Sequence, residues 1–172
     1  MPKSPYGLSK LSGEHLLSMN YEEHSIPYVA FRMFNIFGPF QSVSSAYASV
    51  IPIFFSKALQ DENLGIHGDG EQTRDFVFVE EVVQYYIQAM SSDVCGVFNL
   101  GSGTSMDINS LAERILKITG KMDLKVSHTT PRPGDIRHSK ADVSSLCGNF
   151  QFIQPDFGYS LQRTFEYYKS IA

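Results

Sequence analysis

Tyr6 and Lys10 stand four residues apart in SPYGLSK, Ser4 to Lys10. At the start of a helix such a pair shares one face, one turn apart. An ammonium so placed favours a phenolate over a phenol. A tyrosine tuned in this way can accept a hydroxyl proton and return it, which is general acid/base chemistry. Taken alone, the pair equally describes a surface tyrosine beside a lysine, so its meaning depends on the rest of the chain. A second chemical candidate is Gly101-Ser102-Gly103, which follows an apolar run and precedes a helical one, with Asp123 downstream. It is two-thirds of a dinucleotide fingerprint. Met106 occupies the third glycine position, where that turn needs close helix–strand packing, so the segment reads as a plain strand-to-helix turn.

The elements that must position these residues follow from periodicity and punctuation. Tyr6 to His24 carries Leu8, Leu11, His15, Leu16 and Met19 at helical spacing, with Ser4 as cap and Pro5 at the first position. Tyr28 to Phe34 reads as a buried strand, and Asn35 to Ser45 as a Gly/Pro/Ser loop. Ala46 to Asp61 reads as a helix interrupted or kinked at Pro52. Leu64 to His67 and Arg74 to Val79 read as short strands around the tight turn Gly68-Asp69-Gly70. Then come a helix over Glu80 to Ser91, a strand over Gly96 to Leu100, and a helix capped by Asp107 and ended by Gly120. Lys125 to His128 reads as a strand, Pro131 to Asp135 as a rigid loop, Asp142 to Leu146 as a helical turn and Ser160 onward as a last helix. The aromatic run Phe165-Glu166-Tyr167-Tyr168 reads as helix packing. Strands alternating with helices give an α/β class with parallel pairing.

Composition narrows the function classes. The 172 residues suffice for one domain with a real core. Hydrophobic residues make up 42% and charged ones 19%, a globular profile. A net charge of -4 without a basic run argues against nucleic-acid binding, and no apolar stretch is long enough to span a bilayer. Cys95 and Cys147 share no CxxC spacing. One disulfide is open on count alone, and the expectation is reduced, buried thiols in a cytoplasmic protein. The five histidines show no ligand spacing with them, so no metal site is expected.

Further stretches give the Tyr6/Lys10 pair a context: VAFRMFNIFGP (Val29 to Pro39), HGDGEQTRDFVFVEEVV (His67 to Val83), VFNLGSGTS (Val97 to Ser105) and PRPGDIRHSKADVSSL (Pro131 to Leu146). In this order the set resembles the extended short-chain dehydrogenase/reductase family, in its NAD-dependent nucleotide-sugar epimerase/dehydratase branch. AYASVIP and GDIRHSKAD look most like the UDP-glucose and UDP-N-acetylglucosamine 4-epimerases. The resemblance runs from residue 1 to about 168. It implies the C-terminal part of a Rossmann-type fold plus a small α/β substrate-binding domain. Roughly 1–35 and 76–101 would be Rossmann-side, and roughly 36–75 and 102–172 substrate-side.

The resemblance also assigns roles. Tyr6 is the catalytic base and Lys10 holds the nicotinamide ribose. Met33 and Phe34 lie on the cofactor side, and Asn35 contacts the sugar-nucleotide diphosphate. Ser49 and Val50 match a helix N-terminus that meets the diphosphate or uracil, and His67 ends the strand alongside the uracil. Arg74 and Arg132 match diphosphate arginines; guanidinium forks meet such oxygens bidentately, better than lysine does. Asp135 matches a carboxylate on the uridine ribose, and Ser139 bounds the hexose pocket. The implied reaction passes hydride from the sugar's C4 to NAD and back, through a 4-keto sugar. A 4,6-dehydratase is the alternative within the family. A non-catalytic fragment that at most binds UDP-sugar or self-associates is the alternative outside it.

No GxGxxG or GxxGxxG occurs in the chain. The family's catalytic Ser/Thr position, which precedes the tyrosine, has no counterpart either. The expectation is therefore a second half of such an enzyme, with an incomplete NAD site and no activity alone. In the family the YxxxK helix also joins a helix-bundle dimer interface, which implies a homodimer or oligomer. An apolar face should be exposed where a preceding sheet would pack.

Overall fold

The computed structural model describes residues 2, 4–43, 49–153 and 156–172. Helix α1 (Pro5–His24) begins where the Ser4 hydroxyl accepts the Gly7 N–H at 3.0 Å, and it ends at Ser25 in the left-handed conformation. None of its residues is buried. Leu8, Leu16 and Met19 are each more than half exposed, so the apolar residues seen in the sequence face outward. A bidentate fork ties the helix to strand β1 (Val29–Met33): Arg32 donates from Nε to Glu14 Oε1 at 2.7 Å and from Nη2 to Oε2 at 2.5 Å. The Arg32 guanidinium holds the Glu14 carboxyl below its ordinary range.

Strand β1 pairs in parallel with β6 (Gly96–Leu100), from Val29 opposite Gly96 to Met33 opposite Leu100. The chain runs straight on into β2 (Asn35–Phe37), which pairs in parallel with β5 (Phe76–Phe78). Strand β3 (Leu64–His67) pairs in parallel with β8 (Val126–Thr129). Strand β4 (Thr73–Arg74) pairs antiparallel with β7 (Met106–Asp107). Parallel neighbours need long crossovers. Helices α2 (Val50–Leu59), α3 (Val79–Met90) and α4 (Ile108–Thr119) lie on these connections, followed by α5 (Ser144–Asn149) and α6 (Phe157–Ile171). The architecture is α/β with mainly parallel pairing, as the alternation of patterns predicts.

Two apolar clusters fill the interior. The larger joins α2, α4 and α6 beneath β2, β3 and β5. Helix α4 supplies Ile108, Leu111, Ala112, Ile115 and Leu116 at helical spacing. Asp107 accepts the Ser110 N–H at 2.8 Å at its start, and Gly120 (φ 71°) ends it. Phe55 is wholly buried and stacks on Phe165 and Tyr168, with ring centroids 5.7 and 6.0 Å apart, so the aromatic tail is packing. The smaller cluster joins Val77, Val82, Tyr85, Phe98, Leu100, Leu146 and Phe150.

Several boundaries differ from the sequence reading. Asn35–Phe37 is a strand rather than the start of a loop, because Ile36 and Phe37 have β5 to pair with; Gly38 and Pro39 follow it. The described part of α2 starts at Val50, and residues 46–48 lie outside the described residues. Pro52 therefore falls in the first turn, where its missing N–H has no helical partner to lose, and it makes no kink. The runs at 64–67 and 74–79 do not pair with each other, since β3 takes β8 and β5 takes β2. The second run breaks at Asp75 and gives way to α3 at Val79. The turn expected at 142–146 is α5, displaced toward Asn149, and α6 starts at Phe157 with Asp156 as cap. Both cysteines are free. Cys147 is exposed rather than buried, because α5 turns Leu146 inward instead.

Phe55→Ala should cost about 3–5 kcal/mol, the range for an aromatic removed from a packed core. Urea unfolding followed by circular dichroism measures it.

Candidate active site

At Phe34–Asn35 the chain changes partners. The Phe34 N–H donates to the Leu100 carbonyl on β6 at 2.9 Å, and the next N–H, that of Asn35, donates to the Asp75 carbonyl at 3.0 Å. In α/β folds, ligands bind outside the carboxyl ends of parallel strands where the pairing switches. A cleft of about 760 Å³ opens here.

Ten of the twelve residues singled out in the sequence line this cleft. Tyr6, Met33, Phe34 and Asn35 come from the start of α1 and the β1–β2 junction. Ser49 and Val50 come from the start of α2, whose first-turn N–H groups lack helical partners. His67 comes from the end of β3, with Nδ1 3.1 Å from Thr129 Oγ1. Arg74, Arg132 and Asp135 complete the set. Lys10 and Ser139 are not on the lining. Lys10 stacks its ammonium over the Tyr6 ring, 5.2 Å from the centroid, which is the one-turn proximity the spacing predicts. Tyr6 itself is 72% exposed. Ser139 is half-buried, and its N–H donates to the Thr73 carbonyl at 3.2 Å.

The Arg74 guanidinium is held from three sides. Nη1 donates to the Thr73 and Ile136 carbonyls at 2.7 and 2.6 Å, and Nη2 donates to Asp135 Oδ1 at 2.5 Å. The Arg74 side chain is 13% exposed and that of Asp135 38%. The sequence reading gave these two residues separate ligand contacts, whereas the structure pairs them with each other. A guanidinium has five N–H donors, so two remain beyond the three engaged among the described residues.

Sequence reasoning missed Asp75, Gln41 and Arg137. Asp75 is buried and takes the N–H groups of Ser102 (2.7 Å) and Gly103 (3.1 Å). The amides of the decoy glycine turn are thereby spent on protein. Gln41 lines the cleft and, among the described residues, carries a buried side-chain oxygen without a hydrogen-bond partner. Arg137 bridges Asp69 and Glu71, at 2.5 and 2.8 Å, across the Gly68-Asp69-Gly70 turn. A buried Asp beside an arginine in TRDF is the one signal that could have been read further. Pairings across sixty residues leave no local signature.

Fold and cleft together define a Rossmann-type α/β protein with a nucleotide-sized crevice, two arginines on its wall and a tyrosine at its edge. The profile of the NAD dependent epimerase/dehydratase family matches residues 1–101. The chain belongs to that family. A UDP-N-acetylglucosamine 4-epimerase from Methanobrevibacter ruminantium M1, solved in complex with UDP-N-acetylmuramic acid, superposes with a TM-score of 0.95 at 42% identity. The match covers 100% of this chain and 56% of that one. A UDP-glucose 4-epimerase from Thermotoga maritima, solved with UDP-glucose, superposes with a TM-score of 0.93 at 33% identity, over 99% of this chain and 55% of that one. A UDP-glucose 4-epimerase of Mycolicibacterium smegmatis is 34% identical over 142 residues, 82% of this chain and 45% of its own length. The chain spans about half the length of the curated relatives it matches.

The Asp69–Arg137 contact, off the lining of the cleft, carries a pH signature. The hydrogen bond from Arg137, and next the Glu71 amide, hold the Asp69 carboxyl at about 2. Because this value is depressed, the stabilisation is present above the ordinary carboxylate value of about 4 and is lost as pH falls through about 2. Arg137→Ala should raise the Asp69 titration toward about 4, read by NMR of its side-chain carboxyl.

Proposed function

We propose that this chain carries the sugar-nucleotide site and the proton-transfer tyrosine of an NAD-dependent UDP-sugar 4-epimerase of the UDP-glucose/UDP-N-acetylglucosamine type. The observation that carries the reading is the convergence of ten residues from six separate stretches on one cleft at the strand switch. A diphosphate leaving water needs its charge met. Arg74, Arg132 and the first-turn N–H groups at Ser49–Val50 supply donors on the cleft lining. Asp135 offers acceptor oxygens to a ribose diol, and His67 stands at the end of the strand that would run beside the uracil. Asn35, at the partner change, lies between the sugar-nucleotide wall and the strand end at Met33 and Phe34.

The residues present fit the nicotinamide end of the cofactor: an exposed phenol with an ammonium over its ring, beside the strand end at Met33, itself 47% exposed. When bound, NAD accepts and returns the hydride at the sugar's C4. Tyr6 takes the proton of the 4-hydroxyl and gives it back, while Lys10, its ammonium over the Tyr6 ring, holds the nicotinamide ribose. Ser139, off the lining, bounds the hexose end through its neighbours. The adenosine end of NAD has no glycine-rich loop in this sequence, so this chain alone is proposed to be inactive or weakly active. We assign the compartment as cytoplasmic, where the free Cys95 and Cys147 stay reduced. Residues 1–35 and 76–101 are proposed as the Rossmann side, and 36–75 with 102–172 as the substrate side. A second copy is proposed to cover the exposed Leu8, Leu16 and Met19 face of α1; a concentration-independent monomer in sedimentation would refute that.

Calorimetric titration with UDP-N-acetylglucosamine, without NAD, tests the site. The chain should bind it, and Arg74→Ala should weaken binding roughly 10- to 100-fold, as loss of charge-assisted hydrogen bonds does. Absence of binding by the unaltered chain would overturn the reading. Tyr6→Phe should leave that affinity within about threefold, while any turnover measured with added NAD falls about 10²- to 10⁴-fold.

A further inference from the structure

Asp75 follows Arg74 and faces the other way. Arg74 lines the cleft, and the Asp75 side chain is wholly buried behind the wall. None of the ion pairs among the described residues includes it. A carboxylate without a cation is costly to bury unless hydrogen bonds replace the lost water. Asp75 receives four. Oδ1 accepts the Ser102 N–H at 2.7 Å and the Ser102 hydroxyl at 2.8 Å. Oδ2 accepts the Ala141 N–H at 3.0 Å and the Gly103 N–H at 3.1 Å. The neighbouring chain approaches so closely that a Cβ on Gly101 would stand 2.6 Å from the Ala141 methyl and 3.0 Å from Asp75 Oδ2.

These bonds complete a ladder between residues 73–75 and 136–141. The Thr73 N–H donates to the Arg137 carbonyl at 2.9 Å, and the Ser139 N–H donates back to the Thr73 carbonyl at 3.2 Å. The Arg74 guanidinium takes the Ile136 carbonyl and Asp135. The Ala141 N–H ends the ladder on Asp75. On the other side, the Asp75 carbonyl holds the Asn35 N–H at 3.0 Å. One residue thus connects three segments of the cleft wall: the β1–β2 junction, the strand bearing Arg74 and the loop bearing Asp135.

We infer that Asp75 is a positioning residue for nucleoside-diphosphate binding: from behind the wall it holds Arg74 and the Asp135 segment in register. This rests on the proposed reading of the cleft. The chemistry needs a carboxylate, because both oxygens must accept. An amide would replace one acceptor with an NH₂ group and turn two of its hydrogens toward the backbone or hydroxyl donors already there. The displacement would reach the ligand chiefly through Arg74, whose backbone continues into Asp75 and whose guanidinium is held by the Ile136 carbonyl and Asp135.

The test is a double-mutant cycle on the 172-residue chain, with UDP as the probe and NMR titration for weak affinities. Asp75→Asn should lower UDP affinity about tenfold. In an Arg74→Ala background the same change should alter affinity by less than about twofold, since the group it acts through is gone. A purely architectural role would lower the melting temperature equally in both backgrounds and weaken UDP equally in both; that result overturns the inference, as does an unchanged affinity in Asp75→Asn. Should Asp75→Asn fail to fold by circular dichroism, Ser102→Ala removes one donor and leaves the carboxylate. It should weaken UDP about threefold only where Arg74 is present, and equal affinities there overturn the inference. If the unaltered chain fails to bind UDP, the proposed function falls and takes the inference with it. If that chain binds and the variants match it, only the inference falls.

Discussion

The structure depends on one handover of backbone hydrogen bonds. Between Phe34 and Asn35 the same extended chain stops bonding to β6 and starts bonding through the Asp75 carbonyl toward β5. Every buried peptide group needs a partner, so this switch has to be matched by a second strand end at the same level. Residues 73–78 supply it. The crevice that results is lined by the strand end at Met33–Asn35, the helix N-terminus at Ser49–Val50 and the side chains of Arg74 and Arg132.

Charge on residues 69–74 and 135–137 is arranged more by mutual pairing than by exposure. Arg74 leans on Asp135 and two carbonyls, and Arg137 leans on Asp69 and Glu71. Each pair joins the 67–75 region to the 135–141 loop, which carries little buried apolar surface of its own. The Arg137 pairs are exposed and contribute little to stability. Their effect here is geometric, fixing a polar loop at the rim of a cleft whose floor is the apolar cluster around α2, α4 and α6.

Helix α1 shows the opposite balance. It is well capped and has no buried residue. The Glu14–Arg32 fork and the Tyr21–Tyr28 edge contact, with centroids 6.4 Å apart, are among the contacts that attach it to the rest of the described chain. The Tyr6–Lys10 pair is therefore set by local helix geometry.

The sequence by itself determined whatever is local. The Tyr6–Lys10 proximity follows from helical spacing, α4 from Asp107, its periodic leucines and isoleucines and Gly120, and the α/β class from alternating patterns. The motif order was enough to collect ten residues of the cleft. Tertiary structure decided what depends on partners distant in the chain. Asn35–Phe37 became a strand because β5 was there to receive it, and Pro52 was harmless because the helix starts late. Arg74 met Asp135 rather than standing open, and Asp75 became the buried junction of three segments. A lone carboxylate carries no sequence mark of the four donors that will surround it. Those donors come from residues 102, 103 and 141, and only folding brings them within hydrogen-bond range.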